Sequence, residues 1–205
     1  MSDRWAGADF WEQQATSHAA TLPVLLAACE VVDVGIDGGG LDDLLGLTVL
    51  GRRKDGNAAG AKEWMLWAHA WAHPSVLERH KQIAPRLEDF ARAGDLTLVK
   101  RIGDDVSELA DLVAEMEASG LLDQVGVDPS GLGGIIEALH AAGVPPEKII
   151  GISQGWKMTG AIKTTERKLA EGVIEHGGQP MMAWCVGNAK VEPRGNAILI
   201  IKQAS

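Results

Sequence analysis

The stretch VVDVGIDGGGLDDLLGLTVLGR, residues 31–52, sets two apolar runs on either side of three consecutive glycines. The runs Val31–Ile36 and Leu44–Leu50 are rich in β-branched and aliphatic residues, which is typical of buried strands. Because glycine allows a tight reversal of the chain, the stretch predicts two antiparallel strands. The turn between them carries three acids, Asp37, Asp42 and Asp43.

The sequence after this hairpin predicts a third strand and then two helices. Trp64–Trp71 follows a polar loop and completes an antiparallel meander. Apolar residues at helical spacing predict a helix over 74–93, kinked at Pro85, and another over 107–119. A short strand is predicted between them, over 96–100.

The next part of the chain has a strand–helix–strand order. Short strands are predicted over 124–128 and 148–152, with a helix over 131–142 between them. A unit of about 30 residues with this order joins two parallel strands. The sequence thus changes from antiparallel to parallel pairing along the chain.

The C-terminal part predicts a helix over 159–171, an apolar segment over 181–186 that fits a helix or a strand, and a hairpin with its turn at 193–196. An antiparallel meander followed by helix-linked parallel strands is the element order of a ribonuclease H-like fold. We therefore predict one α/β domain over 23–205, with a mixed central sheet flanked by helices. Residues 1–22 are interpreted as an N-terminal arm or the remnant of an interdomain linker.

The composition is that of an ordinary globular protein. The chain has 205 residues, 46% hydrophobic and 23% charged, and a formal net charge of −9 that argues against a broadly basic nucleic-acid coat. No apolar stretch approaches the ~18 residues of a membrane helix, and the N-terminus lacks a signal-peptide pattern. Cys29 and Cys185 lie far apart among apolar neighbours, so we expect two buried, reduced thiols in a cytoplasmic protein.

Two acids end predicted strands that a ribonuclease H-like sheet places side by side. Asp37 follows the first strand, and Asp128 follows the first parallel strand after the helices. Two converging carboxylates repel each other unless a cation lies between them. Mg²⁺ and Mn²⁺ prefer carboxylate oxygens, and two such ions ~3.5–4 Å apart stabilise the attacking and leaving oxygens of a phosphoryl displacement. The pattern predicts a divalent-metal site at Asp37 and Asp128, with Asp43 as a candidate further group.

Each acid also has a plainer structural interpretation. An aspartate before glycines is common turn chemistry, and Asp42 and Asp43 fit residues that cap or solvate a turn. Asp128, followed by Pro129-Ser130-Gly131, fits the N-cap of the next helix. The pairing of two strand-terminal acids favours the metal site.

Basic residues in the last third of the chain are candidates for contacts with nucleic-acid phosphates. They are Lys157, Lys163, Arg167, Lys168, Lys190 and Arg194. Such contacts would position a nucleic acid without reading its sequence. A solvated helix face, balanced by Glu166 and Glu171, is the alternative interpretation.

Three segments carry a resemblance to a known family. They are VGIDGGGLDDLLGLTVLGR at 34–52, VGVDPSG at 125–131 and the run from Gly155 to Ser205, with Lys163–Leu169 and Trp184–Asn188 the most specific parts. These segments resemble the C-terminal nuclease domain of the large terminase subunit of tailed bacteriophages, of the HK97-like kind. The resemblance covers nearly the whole chain, from RWAGADFWE at 4–12 onward.

The resemblance implies an endonuclease that cuts concatemeric viral DNA at the start and end of packaging. It implies Asp37 and Asp128 as the first two acids of a triad that holds two Mg²⁺ or Mn²⁺ ions. The third acid is expected in a segment beyond Ser205, so the nuclease domain is expected to be truncated at its C-terminus. Double-stranded DNA is implied as the substrate, and the terminase ATPase domain, the small terminase subunit and the portal as partners, in the cytoplasm of the infected bacterial host.

One departure from the family concerns its ATPase half. The full subunit of that family has a Walker A loop upstream, and no G-x-x-x-x-G-K-[ST] motif occurs in this sequence. The chain therefore resembles an excised nuclease half and is not expected to be the packaging motor by itself.

Two nucleotide-binding interpretations stay open. The segments IDGGG at 36–40 and VDPSG at 127–131 also resemble the phosphate loops of actin-like ATPases and sugar kinases. Those proteins enclose a nucleotide between two such domains, and Leu41 stands where they usually have Ser or Thr. The glycines at 131, 133 and 134 weakly resemble a dinucleotide-binding turn, but their spacing differs.

A zinc site and a non-catalytic interaction module are the remaining alternatives. His69, His73 and His80 are close in sequence, but no cysteine is near them, so packing or surface roles are favoured. The tryptophans are expected first to be packing residues; as the alternative, Trp5 and Trp11 would be exposed on the N-terminal arm, where they could meet a neighbouring domain. Retention of both strand-terminal acids argues against a purely non-catalytic module.

Overall fold

The computed structural model describes residues 3–17, 21–56, 62–128 and 133–201. The described strands are β1 (Asp3–Arg4), β2 (Cys29–Gly38), β3 (Leu45–Arg53), β4 (Trp64–Ala72), β5 (Leu96–Leu98), β6 (Leu122–Val127), β7 (Ile149–Gly151), β8 (Ile174–His176), β9 (Lys190–Arg194) and β10 (Ala197–Ile201). The described α-helices are α1 (Ala8–Trp11), α2 (Leu22–Ala28), α3 (Ser75–Arg79), α4 (Ala84–Ala93), α5 (Asp104–Ala118), α6 (Gly133–Ala141), α7 (Thr159–Ala170) and α8 (Pro180–Asn188). Short 3₁₀ turns occupy 12–14, 146–148 and 155–158.

A mixed sheet forms the centre of the described chain, with strand order β5-β4-β3-β2-β6-β7. The strands β2, β3 and β4 pair antiparallel, and β6 and β7 continue the sheet as parallel neighbours of β2. β8 and β5 both pair in parallel with β4, along its first and last residues respectively. The prediction of an antiparallel meander followed by parallel strands is confirmed.

One face of the sheet packs against α5 and α6. Buried side chains alternate along β2 and β3, and they meet Leu109, Val113 and Met116 on one side of α5 and Leu139 of α6. The three α5 residues recur at a spacing of four and three, which produces a continuous apolar stripe. Asp104 and Asp105 lie in the first turn of α5, where negative charge interacts favourably with the helix dipole.

The N-terminal segment packs on the opposite face of the sheet with α7 and α8. Trp5 is 6% exposed and Trp11 is 4% exposed, and both belong to a core cluster with Ile162 and Leu169 of α7. The short strand β1 pairs antiparallel with β9. The expectation that tryptophans are packing residues is confirmed for Trp5 and Trp11, and the alternative that they are exposed is wrong, because β1 and α1 carry them onto this core. The division between an arm and a domain at residue 22 stays a prediction.

The region predicted as one kinked helix over 74–93 is two helices, α3 and α4. The chain leaves the helical path between them, and Pro85 lies in the first turn of α4, where its missing N–H costs nothing. Gly94 ends α4 in the left-handed conformation, with φ of 83°. The predicted kink is therefore a complete break.

The ambiguous segment at 181–186 belongs to the helix α8. The buried side chain of Asp95 accepts a hydrogen bond at 2.9 Å from the backbone N–H of Met181, one of the helix N–H groups without a partner inside the helix. Gln179 bonds to both backbone groups of Ala68 on β4, at 3.0 and 2.7 Å. These contacts fix the start of α8 against the sheet.

The two cysteines lie in different environments. Cys29 is fully buried at the start of β2, and burial raises the pKa of its thiol to about 11. Cys185 is exposed on α8, so the prediction of a buried thiol is wrong for this residue. None of the described helices is both long and apolar enough to cross a membrane.

Candidate active site

Asp37 and Asp128 lie at the ends of neighbouring parallel strands. β2 and β6 pair in register at Ile36 and Val127, and each acid is the residue that follows this pair. The predicted adjacency of the two strand ends is confirmed. The alternative role of Asp128 as a helix N-cap involves residues 129–132, which lie outside the described part of the chain.

The alternation of side chains places the two acids on one face of the sheet. Ile36 is buried in the core, and Asp37 is exposed on the opposite face of β2. Val127 is likewise buried, so the same alternation, carried on by one residue, assigns the half-buried Asp128 to the face of Asp37. A Cβ atom added at Gly35 would meet no atom within 4 Å, so the sheet surface beside the acids is open.

Three glycines after Asp37 turn the chain back on itself. Gly38, Gly39 and Gly40 have φ of 82°, 105° and 151°, values that side chains disfavour. A Cβ at Gly38 would lie 2.1 Å from the carbonyl oxygen of Leu44, so only glycine fits this close approach. The turn brings Asp43 back beside Gly38, where its Oδ1 accepts a hydrogen bond at 2.8 Å from the backbone N–H of Leu44.

Helix α3 holds the acidic turn from outside. The hydroxyl of Ser75 donates a hydrogen bond to the carbonyl oxygen of Leu41 at 2.7 Å. The Nε2 atom of His80 lies 2.8 Å from the carbonyl oxygen of Asp42, which makes this nitrogen the donor. Arg79 lies 3.9 Å from the Asp42 carboxylate. The turn is therefore fixed at two backbone positions by side chains of α3 and the residue after it.

A groove of about 950 Å³ opens at the acidic turn. Its floor is the open sheet face, where the residues are small: Gly46, Thr48, Ala68 and Ala70. Its walls come from α3 and α4, from α8, from β10 and from the 3₁₀ turn at 155–158: Val76, His80, Leu87, Met181, Cys185, Asn188, Leu199, Gln154, Gly155 and Met158. Asp37, Asp42 and Asp43 line the same groove. Asp128 follows the neighbouring strand at the same sheet edge.

Sequence reasoning missed the groove residues His80 and Gln154 as members of this site. Gln154 follows the strand predicted over 148–152, and ligands of open α/β sheets bind outside the carboxyl ends of the strands. That rule, applied to the third parallel strand, indicates Gln154 from the sequence. His80 has no such signal, because its position depends on the break between α3 and α4.

No protein-family model and no curated protein matches the sequence. Among solved structures, that of the HK97 bacteriophage large terminase aligns with a TM-score of 0.76 and 21% identity, over 98% of this chain and 40% of that one. The large terminase nuclease of the thermophilic phage G20c aligns with a TM-score of 0.57 and 14% identity, over all of this chain and 90% of that one. The fold is that of a large terminase nuclease. The chain spans about 40% of the length of the HK97 protein.

The large terminase nuclease fold confirms the predicted ribonuclease H-like class. A further structure of the G20c nuclease, with bound magnesium, aligns with a TM-score of 0.54 and 14% identity. Within the ranges that the structure describes in this chain, no group of three or more His, Cys, Asp or Glu residues is arranged to hold a metal ion. The described residues therefore contribute a pair of strand-end acids, and the third acid expected beyond Ser205 stays a prediction.

The six basic residues predicted to contact DNA differ in their surroundings. Arg167 pairs with Glu171 at 2.7 Å, which raises the pKa of Arg167, and Lys168 and Arg194 lie 3.6 and 2.9 Å from Glu63 and Glu192. The other three, Lys157, Lys163 and Lys190, have no acidic partner among the described residues. Lys157 lies in the 3₁₀ turn at the groove wall. Their contact with DNA stays a prediction.

The three histidines near the third strand each have a separate partner. His69 is paired with the hydroxyl of Thr97 at 2.8 Å, and burial lowers its pKa. His73 accepts a hydrogen bond from the backbone N–H of Ser75 at 3.2 Å, and His80 bonds to the acidic turn. The structural interpretation of these histidines, as packing and surface residues, agrees with these contacts.

Proposed function

We propose that this chain is a metal-dependent DNA endonuclease of the viral packaging type, acting by hydrolysis of phosphodiester bonds. The observation that carries the proposal is the register of Asp37 and Asp128 at the ends of adjacent parallel strands, within the fold of a large terminase nuclease. The glycine turn and the open sheet face leave room beside these acids for a phosphate backbone.

The acids at the two strand ends suit a hard divalent cation such as Mg²⁺ or Mn²⁺, which prefers carboxylate oxygens. Asp37 and Asp128 would hold the metal, whereas Asp43, whose carboxylate lies beside Gly38, forms no three-acid metal group with them among the described residues. When bound, a pair of such ions stabilises the attacking and leaving oxygens of the displacement. The magnesium-bound structure of the G20c nuclease supports this choice of ion.

Asp37 and Asp128 have two tasks in this proposal. They would neutralise and position the cations, and because they follow adjacent strands they would direct the scissile phosphate to the sheet edge. The groove walls position the rest of the nucleic acid. Of the six basic residues predicted to contact DNA, Lys157, Lys163 and Lys190 have no acidic partner among the described residues, so their charge is available for phosphates. Double-stranded DNA is the proposed substrate.

The packaging role adds partners to the proposal. A terminase ATPase domain, a small terminase subunit and a portal are the proteins that a nuclease of this type would work with, in the cytoplasm of an infected bacterium. The match to 40% of the HK97 large terminase supports a nuclease that is one part of such an assembly.

The proposal is tested by the nicking of supercoiled plasmid DNA in Mn²⁺. Asp37→Asn and Asp128→Asn should each abolish nicking, because each removes a carboxylate ligand. Asp33→Asn is the matched control: Asp33 lies on the same strand and is exposed like Asp37, four residues from the site, so this variant should cut like the wild type. Full activity in the Asp37→Asn variant would show that the active site lies elsewhere in the protein.

A further inference from the structure

Trp156 is exposed at the sheet edge that carries the acids. All seven tryptophans lie in the described residues, and Trp156, which is 66% exposed, is the only exposed one. Burial of a tryptophan removes a large apolar area from water, so a fold that leaves one in solvent forgoes that stabilisation. Tryptophan is enriched among the residues that carry most of the binding energy at interfaces, so an exposed one beside a candidate active site is a candidate binding residue.

The topology places Trp156 beside the candidate active site. β7 pairs in parallel with β6, and Gly151 is in register with Val127. The backbone N–H of Ile152 donates to the carbonyl oxygen of Val127 at 2.8 Å, so the chain leaves β7 next to Asp128. Gln154 and Gly155, which immediately precede Trp156, line the same groove as Asp37.

The backbone of Trp156 is held in place. The hydroxyl of Thr159 donates a hydrogen bond to the carbonyl oxygen of Trp156 at 2.7 Å and accepts one from the backbone N–H of Ile198 at 3.1 Å. Gly155 begins the 3₁₀ turn with φ of 76°. A ring displayed on a fixed turn loses little conformational freedom when a partner binds.

The positive charge of Lys157 indicates what kind of partner binds beside Trp156. Its Nζ atom lies 5.9 Å from the centre of the Trp156 ring, and no acid of the described chain pairs with it. An aromatic face beside an available cation fits a nucleotide, whose base stacks on the ring while its phosphate meets the ammonium group. Stacking requires a base that is not already covered on both sides, as in an unpaired strand.

We propose that Trp156 stacks on an unpaired base next to the cleavage site, so that the protein binds DNA with frayed or single-stranded nucleotides more tightly than intact duplex. The inference rests on the proposed nuclease function, because it takes the strand-end acids as the place of cutting. It adds a preference for the conformation of the DNA and names Trp156 as the residue that produces it.

The test compares two labelled DNAs, a blunt duplex and the same duplex with four unpaired nucleotides at one end, by fluorescence anisotropy in a chelator. Trp156→Ala should weaken binding of the DNA with unpaired nucleotides roughly tenfold and leave the blunt duplex unchanged, because one stacked base is lost. Trp156→Phe should retain most of the affinity. Ile102→Ala is the matched control, since Ile102 is 73% exposed and follows β5, at the other end of the sheet order.

A second readout is the intrinsic tryptophan fluorescence. The unpaired strand should quench part of the wild-type emission, and Trp156→Phe should lose this quenching while the other six tryptophans remain. Equal binding of both DNAs by the wild type and Trp156→Ala, with nicking intact, would overturn the inference and leave the proposed function standing. An equal loss on both DNAs would also overturn it, since that pattern means backbone contact. Failure of the wild type to cut any DNA would instead refute the proposed function.

Discussion

Asp33 and Asp37 lie on one strand, four residues apart, in different surroundings. The pKa of Asp33 is raised mainly because the carboxyl group is partly buried, and secondly because the negative charge of Asp123 on β6 is near it. Asp37 lies at the other end of the same two strands, beside the glycine turn and the groove. The paired segment of the two strands thus has acids near both of its ends, and the glycines make the end with Asp37 and Asp128 the accessible one.

Gly38 is the residue of the turn at which a side chain is least tolerated. Gly38→Ala should lower the free energy of unfolding by more than the about 1–2 kcal/mol that a left-handed conformation costs an alanine, because the new Cβ also meets the Leu44 carbonyl. We expect a fall of several degrees in the thermal midpoint, measured by circular dichroism, and a loss of nicking because the turn beside Asp37 moves.

Gly134→Ala is the control for this substitution. Gly134 lies in the first turn of α6 with no atom within 4 Å of the added Cβ. Alanine there should raise the stability by about 0.5–1 kcal/mol, since it restricts the unfolded chain and favours the helix. A Gly38→Ala variant as stable as Gly134→Ala would show that the turn adopts another conformation.

At the scale of secondary-structure elements, the sequence predicts the strands and helices in which apolar residues recur at a regular spacing. The meander, the helices α5 and α7 and the C-terminal hairpin follow from alternating or helical spacing of apolar residues. β8 could not be predicted from such spacing, because it is three residues long and two of them, Glu175 and His176, are ionisable. They are buried because Arg53 pairs with Glu175 and the carbonyl oxygen of Trp11 accepts a hydrogen bond from His176 at 2.8 Å.

Glu175 of β8, which is 5% exposed, links this strand to neighbouring segments through its side chain. It bonds to Arg53 at the end of β3 and accepts a hydrogen bond from the Thr16 hydroxyl at 3.2 Å. Glu175→Gln should lower the free energy of unfolding by about 2 kcal/mol, because it removes the more buried of the two carboxylates, Glu175 and Asp55, that pair with the partly buried Arg53. Urea denaturation measures the change.

Glu171→Gln is the matched control, since it breaks an exposed helical pair with Arg167. Such pairs contribute less than about 0.5 kcal/mol, so the midpoint should hardly move. Equal effects of the two substitutions would mean that Glu175 is solvated in the folded protein.

At the scale of the whole molecule, the buried His176 and the half-buried His69 should make stability depend on pH. Burial lowers the pKa of His69 and of His176 from the ordinary value of 6.5. Below about pH 6.5 the unfolded chain therefore binds more protons than the folded one, and folding stability should fall as the pH decreases toward the lowered values. Above pH 6.5 both histidines are neutral in the folded and the unfolded chain, so this loss of stability does not occur. Thermal unfolding between pH 5 and 8 measures this slope.

His176 is the sharper case, because both of its ring nitrogens are engaged. Nε2 donates to the carbonyl oxygen of Trp11, and Nδ1 accepts from the backbone N–H of Gly178 at 3.0 Å, which requires the neutral ring. His176→Gln should flatten the pH slope, whereas His140→Gln, at an exposed position of α6, should leave it unchanged. A slope that survives in the His69→Gln, His176→Gln double variant would assign it to other groups.

The sequence predicts the fold class and the strand-end acids for one physical reason. Parallel neighbours in a sheet end at the same edge, so the order of strands alone brings Asp37 and Asp128 together. Contacts between segments distant in the chain could not be predicted this way. The burial of Trp5 and Trp11 depends on packing against α7 and α8, and the groove depends on the break between α3 and α4.

The central claim is that Asp37 and Asp128 share a divalent cation. Anomalous diffraction from crystals soaked in Mn²⁺ tests it most directly, because manganese is located without reference to activity. The account predicts an anomalous peak between the two carboxylates in the wild type and its loss in Asp37→Asn. A wild-type peak elsewhere, or a peak between the strand ends that persists in Asp37→Asn, would contradict it.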